Sequence, residues 1–227
     1  MLRLIQTGMK YGGYGSTPFV FEALKNVNLE IAPGEAICIK GPSGSGKSTL
    51  LNILGGMLKP TEGEYQYQGE SVYCRDKDEL AELRNRDFGF VFQTFVLMSE
   101  WTVWENAALP LKYSPRPKSV HASLIRNALS RVGLTAKQEN LAKTLSGGEQ
   151  QRTAIARAIV NDPRIILADE PTGNLDSASG NQILDLLFNL SNEGKTVVVI
   201  THDPSVAARF PRTICIMDGQ IVEDHKI

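Results

Sequence analysis

The chain has 227 residues, 42% hydrophobic and 22% charged, which is enough for one substantial core or two small subdomains. Its 24 basic and 25 acidic residues nearly cancel to a formal charge of −1, so there is no basic footprint of the kind nucleic-acid binding demands and no nucleic acid is expected as a partner. No stretch approaches the roughly 18 consecutive apolar residues that span a bilayer, so work at a membrane requires spans supplied by another chain.

The opening Met1-Leu2-Arg3-Leu4-Ile5-Gln6 reads as a short alternating strand and lacks the long apolar stretch of a signal peptide, which implies a cytoplasmic protein. Further β-type runs follow at 27–31, 36–40, 88–92, 165–168, 196–200 and 213–217. Ile165-Ile166-Leu167-Ala168 and Val197-Val198-Val199-Ile200 are continuously apolar, as strands buried on both faces of a parallel sheet must be. The early runs alternate more and suit a smaller antiparallel flank. Between residues 94 and 162 the β signal gives way to helical apolar spacing at 119–132 and 147–160, entered through Pro110, Pro115 and Pro117. The expectation is an α/β core over about 1–93 and 162–227, interrupted by a helical subdomain over about 94–161. Cys38, Cys74 and Cys215 are odd in number and widely separated, so they read as reduced residues without a metal or redox role.

Gly41-Pro42-Ser43-Gly44-Ser45-Gly46-Lys47-Ser48-Thr49 fits G-x-x-x-x-G-K-[ST], between a predicted strand and a helix that continues through Leu54. Glycines let backbone N–H groups turn inward around phosphate oxygens, and the helix adds its positive N-terminal end. Lys47 then reaches the β- and γ-phosphates of ATP, and Ser48 can ligate Mg²⁺. The loop establishes nucleotide binding and leaves its purpose open.

The run 165–168 ends in Asp169-Glu170, and parallel α/β sheets bind ligands beyond the carboxyl ends of their strands. Neighbours on a strand point to opposite faces, which assigns Asp169 to the Mg²⁺ shell and Glu170 to a water in line with the γ-phosphate. His202 follows another apolar run and can hydrogen-bond a phosphate oxygen or that water. His121 and His225 have no such setting.

Leu145-Ser146-Gly147-Gly148-Glu149-Gln150-Gln151-Arg152 resembles the LSGGQ signature of ATP-binding-cassette ATPases, the nucleotide-binding domains of ABC transporters. A serine and two glycines at a helix start also make a second anion site in the same chain. The remaining motifs stand in the family's order. Gln93 is similar to the Q-loop glutamine, which in the family contacts Mg²⁺ and the water. Leu175-Asp176 resembles the D-loop, and His202 the H-loop histidine. Tyr11 matches the aromatic that stacks on adenine, with Tyr14, Phe19 and Phe21 as competitors, since the loop after Gly12 is long for the family. Leu83-Arg84-Asn85, Phe88-Gly89-Phe90-Val91-Phe92-Gln93 and the stretch from Ile166 to Asp176 narrow the likeness to the group of lipoprotein-releasing and macrolide-export ATPases and the cell-division ATPase FtsE.

The resemblance implies a P-loop (RecA-like) core with a mostly parallel sheet, a small antiparallel β flank and an inserted α-helical subdomain. It implies a head-to-tail homodimer with each ATP between residues 41–49 of one copy and Ser146, Gly147, Gly148, Glu149 and Asp176 of the other. Lys47, Gln93, Glu170 and His202 form the catalytic set, with Ser48, Gln93 and Asp169 on the metal. It also implies a separate permease of four membrane helices and a large extracytoplasmic domain, with the ATPase peripheral on the inner face of the membrane. Export, lipoprotein release and transmission of motion remain open. An FtsE-like regulator that exports nothing is the alternative, and a cassette acting on DNA or ribosomes is a weaker one. Phe95, Val96, Leu97, Met98, Trp101 and Trp104 form an apolar stretch that is either core or a docking surface for the permease.

Overall fold

The structure, a computed structural model, describes residues 1–12 and 20–226. It divides into two compact units, Met1–Leu80 with Val198–Ile227, and Ala81–Val197.

The first unit opens with β1 (Leu2–Gly12) and β2 (Val20–Ile31), an antiparallel pair in which Leu2 and Leu4 are buried and Arg3 is exposed. β3 (Ala36–Lys40) leads through the glycine-rich loop into α1 (Lys47–Leu54), followed by β4 (Glu62–Tyr67) and the two-residue β5 (Glu70–Ser71). The order β2-β1-β4-β5 forms the antiparallel flank that the alternating pattern predicts. β2 begins well before the predicted start at residue 27. Register shifts and the left-handed Asn26 (φ 48°) break its period, so alternation is visible only in its last part.

α2 (Lys77–Asp87) leaves the first unit and enters the second. There the chain forms β6 (Phe88–Val91), α3 (Val103–Ala108), α4 (Lys118–Arg131), α5 (Gly147–Ile159), β7 (Ile165–Asp169) and α6 (Ser177–Asn192). β6 and β7 are parallel, with Phe88 opposite Ile165. Ile166, Leu167 and Ala168 are all 0% exposed, in keeping with their unbroken apolar run. Among the described residues between 94 and 161 the only β pairing is an isolated bridge from Thr102 to Leu141.

β8 (Thr196–Thr201) carries the chain back to the first unit, which closes with α7 (Pro204–Ala207), β9 (Arg212–Met217) and β10 (Gln220–Lys226). In that unit the strands run β10-β9-β3-β8, with β9 parallel to β3 and β10 antiparallel to β9. Ile37, Ile39, Leu50, Ile53, Ile214 and Ile216 are buried there, so β3 and α1 are held by packing on both sides of the loop they flank.

The apolar stretch after Gln93 is shaped by Asn106 of α3, which is fully buried. Its Oδ1 accepts from Met98 N at 2.9 Å, and its Nδ2 donates to the carbonyls of Met98, Trp101 and Thr102 at 3.0–3.3 Å. Thr102 and Glu105 add a reciprocal capping box at the same helix start. Asn106→Leu strips the turn of its side-chain partners and is expected to cost about 2–4 kcal/mol, a fall of roughly 5–15 °C in Tm by calorimetry. A shift below a degree rules out this role for the amide.

Candidate functional site

In the first unit, the loop between β3 and α1 is shaped by close backbone approach. A Cβ on Gly41 would lie 2.1 Å from the Ile216 carbonyl oxygen, and one on Gly46 would lie 2.4 Å from that of Ala23. Gly46 also has φ 104° as the residue preceding α1, a conformation that glycine adopts without strain. Lys47 is 8% exposed and donates to the carbonyls of Gly41 (2.8 Å) and Pro42 (2.7 Å), so its ammonium lies folded over the loop. Ser45 Oγ is buried with no partner among the described residues. Together these put a cation and a spare hydroxyl on a cradle of backbone, at the N-terminus of a helix with no acidic residue in its first turn.

Tyr11 is the penultimate residue of β1, 40% exposed, with its hydroxyl 3.5 Å from Thr49 Oγ1. Phe21 is its cross-strand partner and 48% exposed, so both rings belong to one face of the hairpin. Tyr14 and Phe19 lie outside the described residues. His202 follows the last residue of β8 and is exposed. Asp203 beside it caps α7 by accepting from Ser205 N at 2.8 Å, and that hydrogen bonding with Ser205 holds its carboxyl below the usual aspartate range.

In the second unit, Asp169 closes β7 and Glu170 turns out of it with φ 47°. Strand alternation therefore stops at Asp169, and a left-handed turn sets the direction of Glu170. Glu170 O accepts from Gly173 N at 3.1 Å to complete the turn. Gln93 lies against this turn. A Cβ on Gly173 would sit 2.8 Å from Gln93 Nε2, so the end of the Gln93 side chain lies directly over this glycine. Asn174 Nδ2 donates to Gln93 O at 2.9 Å. The structure thus brings Gln93 to the chain turn that follows Glu170.

Ser146 caps α5 by a capping box: its Oγ accepts from Glu149 N at 3.4 Å, and Glu149 Oε2 accepts from Ser146 N at 3.0 Å. Glu149 also pairs with Lys137, whose hydrogen bond is the largest influence holding the carboxyl below the usual glutamate range. Asp176 caps α6, accepting from Ser179 N at 2.9 Å and Ser179 Oγ at 2.7 Å, and these bonds lower its pKa. The two helix starts adjoin, since a Cβ on Gly148 would meet Ser179 Cβ at 3.2 Å and one on Gly147 would meet Leu175 Cδ2 at 3.4 Å. Ser146, Gly147, Gly148, Glu149 and Asp176 therefore form one neighbourhood.

Two further side chains belong here to which the sequence assigns no role. Arg157 of α5 donates to the carbonyls of Phe95 (2.9 Å) and Val96 (2.5 Å), both left-handed residues just after Gln93, and burial lowers its pKa. Gln151, also on α5, donates to Pro171 O at 2.7 Å and Phe92 O at 3.4 Å. Their helical position is readable from the sequence, but the carbonyls they serve are 20 to 62 residues away along the chain.

A family model described as ABC transporter matches residues 24–173. An uncharacterised ABC transporter ATP-binding protein of Bacillus subtilis, YvrO, is 48% identical over 89% of this chain and 89% of its own length. The chain belongs to the ABC transporter family. The cassette is also 46% identical, over its whole length, to a macrolide export ATP-binding/permease protein MacB of Paracoccus denitrificans, of which it covers 33%. It thus spans about a third of the length of such fused relatives. Among solved structures, the dimeric form of MJ0796, a bacterial ABC transporter cassette, superposes with a TM-score of 0.89 at 44% identity, covering 100% of this chain and 98% of that one. The same cassette bound to ADP and Pi gives 0.89 at 42% identity. The fold is that of an ABC ATPase, with its mostly parallel core strands, antiparallel flank and helices.

Proposed function

We propose that this cassette binds and hydrolyses ATP as one of two copies that drive a membrane permease. The observation that carries the reading is the presence in one chain of two differently built anion sites, residues 41–49 and the capped helix start at Ser146. A head-to-tail dimer gives both sites one phosphate group to share, and the dimeric form of MJ0796 supports that arrangement. The nucleotide then belongs to the interface.

In this reading Lys47 leaves the carbonyls of Gly41 and Pro42 for the β- and γ-phosphates, and backbone amides of residues 41–49 hold the rest. The carbonyl contacts keep the ammonium poised over the loop until anionic acceptors replace them. Tyr11 stacks on adenine, and Phe21 opposite it lengthens the platform. Glu170 polarises the attacking water, Gln93 orients it, and His202 donates to the γ-phosphate. Ser146 Oγ already accepts from Glu149 N, which leaves its proton to donate to the γ-phosphate of the second copy's ATP. Asp176 fixes the start of α6 beside that segment. The donor set of Ser48 hydroxyl, Gln93 amide and Asp169 carboxylate is all hard oxygen, which suits Mg²⁺ with phosphates completing its shell. When bound, the ion would neutralise charge developing on the phosphates.

The partner surface we assign is the stretch after Gln93. Val96 and Met98 are 55% and 49% exposed, while Asn106 and Arg157 hold their backbone in place, so these apolar groups are fixed outward. Among the described residues no helix is long and apolar enough to cross a membrane. The permease is therefore assigned to a further segment or a separate chain, with residues 94–161 as the lever and the cassette on the cytoplasmic side. The names of the fused relatives support export over the regulatory alternative. Affinity purification from detergent-solubilised membranes is expected to recover an integral membrane permease, and Val96→Asp with Met98→Asp to release it while ATP binding persists. Recovery of ribosomes or DNA in its place overturns the reading.

A further inference from the structure

Gln151 is 0% exposed, a fully buried amide two residues beyond the first-turn Glu149 of α5. Its Nε2 serves two carbonyls, Pro171 at 2.7 Å and Phe92 at 3.4 Å. Those residues are the chain neighbours of Glu170 and Gln93. Turning the amide round would set its oxygen against both carbonyls, so the acceptors fix its orientation. Oε1 in consequence is buried with no partner among the described residues. An acceptor left so is destabilising, a penalty that a methionine of similar length would avoid. Packing alone does not account for a glutamine at this position.

Gln151 is on the same helix as the Ser146 cap, about a turn and a half away, and an α-helix moves over that length as a rigid piece. Arg157, further along the same helix, grips the carbonyls of Phe95 and Val96 on the other side of Gln93. α5 therefore holds the chain both before and after Gln93 and immediately after Glu170. We infer that Gln151 is a positioning residue for ATP hydrolysis, tying the helix start at Ser146 to the two segments that carry Gln93 and Glu170. Seating of the second copy's nucleotide on Ser146 thereby sets the groups that hold the attacking water. This rests on the roles proposed above for Gln93, Glu170 and Ser146.

Gln151→Met removes the donor at near-constant volume, and Gln151→Glu keeps the shape while placing an oxygen against each carbonyl. In both, kcat is expected to fall about 10- to 100-fold, the scale of a misplaced reacting group, while KM and the affinity for a fluorescent ATP analogue stay within about twofold. The double variant Gln151→Met/Glu170→Gln is expected to dimerise with ATP as Glu170→Gln alone does, by analytical ultracentrifugation. Wild-type kcat in either folded variant overturns the inference. So does a joint loss of kcat, nucleotide affinity and Tm, or failure of both variants to fold, since each marks a purely structural amide. Glu170→Gln run alongside separates the two levels: if it turns over normally the reading of the site falls and takes this inference with it. If it is inactive while Gln151→Met is normal, only the inference falls.

Discussion

Glu170→Gln is expected to bind ATP as tightly as the unaltered cassette, hydrolyse it about 10²- to 10⁴-fold more slowly, and accumulate as an ATP-bound dimer. The amide matches the carboxylate in size and tolerates the same left-handed backbone, φ 47°, about as well, so the turn through Gly173 should survive. What is lost is the negative charge and proton-accepting power at the atom proposed to face the water. Because Glu170 belongs to neither phosphate-binding segment, nucleotide affinity and the interface contact through Ser146 are preserved. If ATP closes the dimer and hydrolysis opens it, blocking the chemical step leaves the closed form with no exit. Phosphate release measured over hours, beside sedimentation with and without ATP, checks both halves. Turnover at the unaltered rate removes Glu170 from the reaction, and slow turnover without dimer removes the clamp.

How far the site was readable from the sequence follows from where each signal is stored. Residues 41–49 announce themselves because a backbone cradle needs glycines at fixed offsets, and the structure shows why: Gly41 and Gly46 each have a carbonyl within 2.4 Å of where a Cβ would go. β7 and β8 were plain because unbroken apolar runs have one use in a parallel sheet. α2 was silent for the opposite reason, with only Leu83 and Asp87 buried along it and no apolar stripe. β10 is an edge strand of charged and polar residues, and β4 is short with only Tyr65 and Tyr67 buried, so period-2 patterning is weak in both. α6 did offer a signal that the sequence analysis did not use: Asp176 at the cap and apolar Ile183, Leu184, Leu187 and Leu190 on one face. Glu170 illustrates a further limit, since its direction comes from a left-handed turn that strand alternation does not describe. The side chains that knit the second unit's candidate residues together, Gln151, Arg157 and Asn174, act on carbonyls distant in the chain, and no local pattern encodes such a pairing.

Ser146→Arg carries the second large expected effect, because it separates the two anion sites that the cassette is proposed to combine. The hydroxyl has one role in the structure and a second in the proposed mechanism. It caps α5, and losing that bond costs about 1 kcal/mol, a fall of roughly 2–4 °C in Tm. It is also the group proposed to meet the other copy's γ-phosphate, where a hydrogen bond to a charged partner contributes about 1.5–3 kcal/mol. An arginine there adds a side chain several times larger at a helix start that already packs against the beginning of α6, and the interface has to part to admit it. Combined loss of about 3 kcal/mol weakens ATP-dependent dimerisation roughly 100-fold. Residues 41–49 and Tyr11 are untouched, so one copy still binds a fluorescent ATP analogue with unaltered affinity. ATPase activity should collapse with the dimer and return in part when the variant is mixed with an excess of Lys47→Ala chains. In such a mixed pair the variant's own nucleotide faces an intact Ser146 from its partner, and the partner's defective loop faces the arginine. Absence of that rescue, with each chain shown to be folded, places the defect within a single copy and argues against nucleotide shared across the interface.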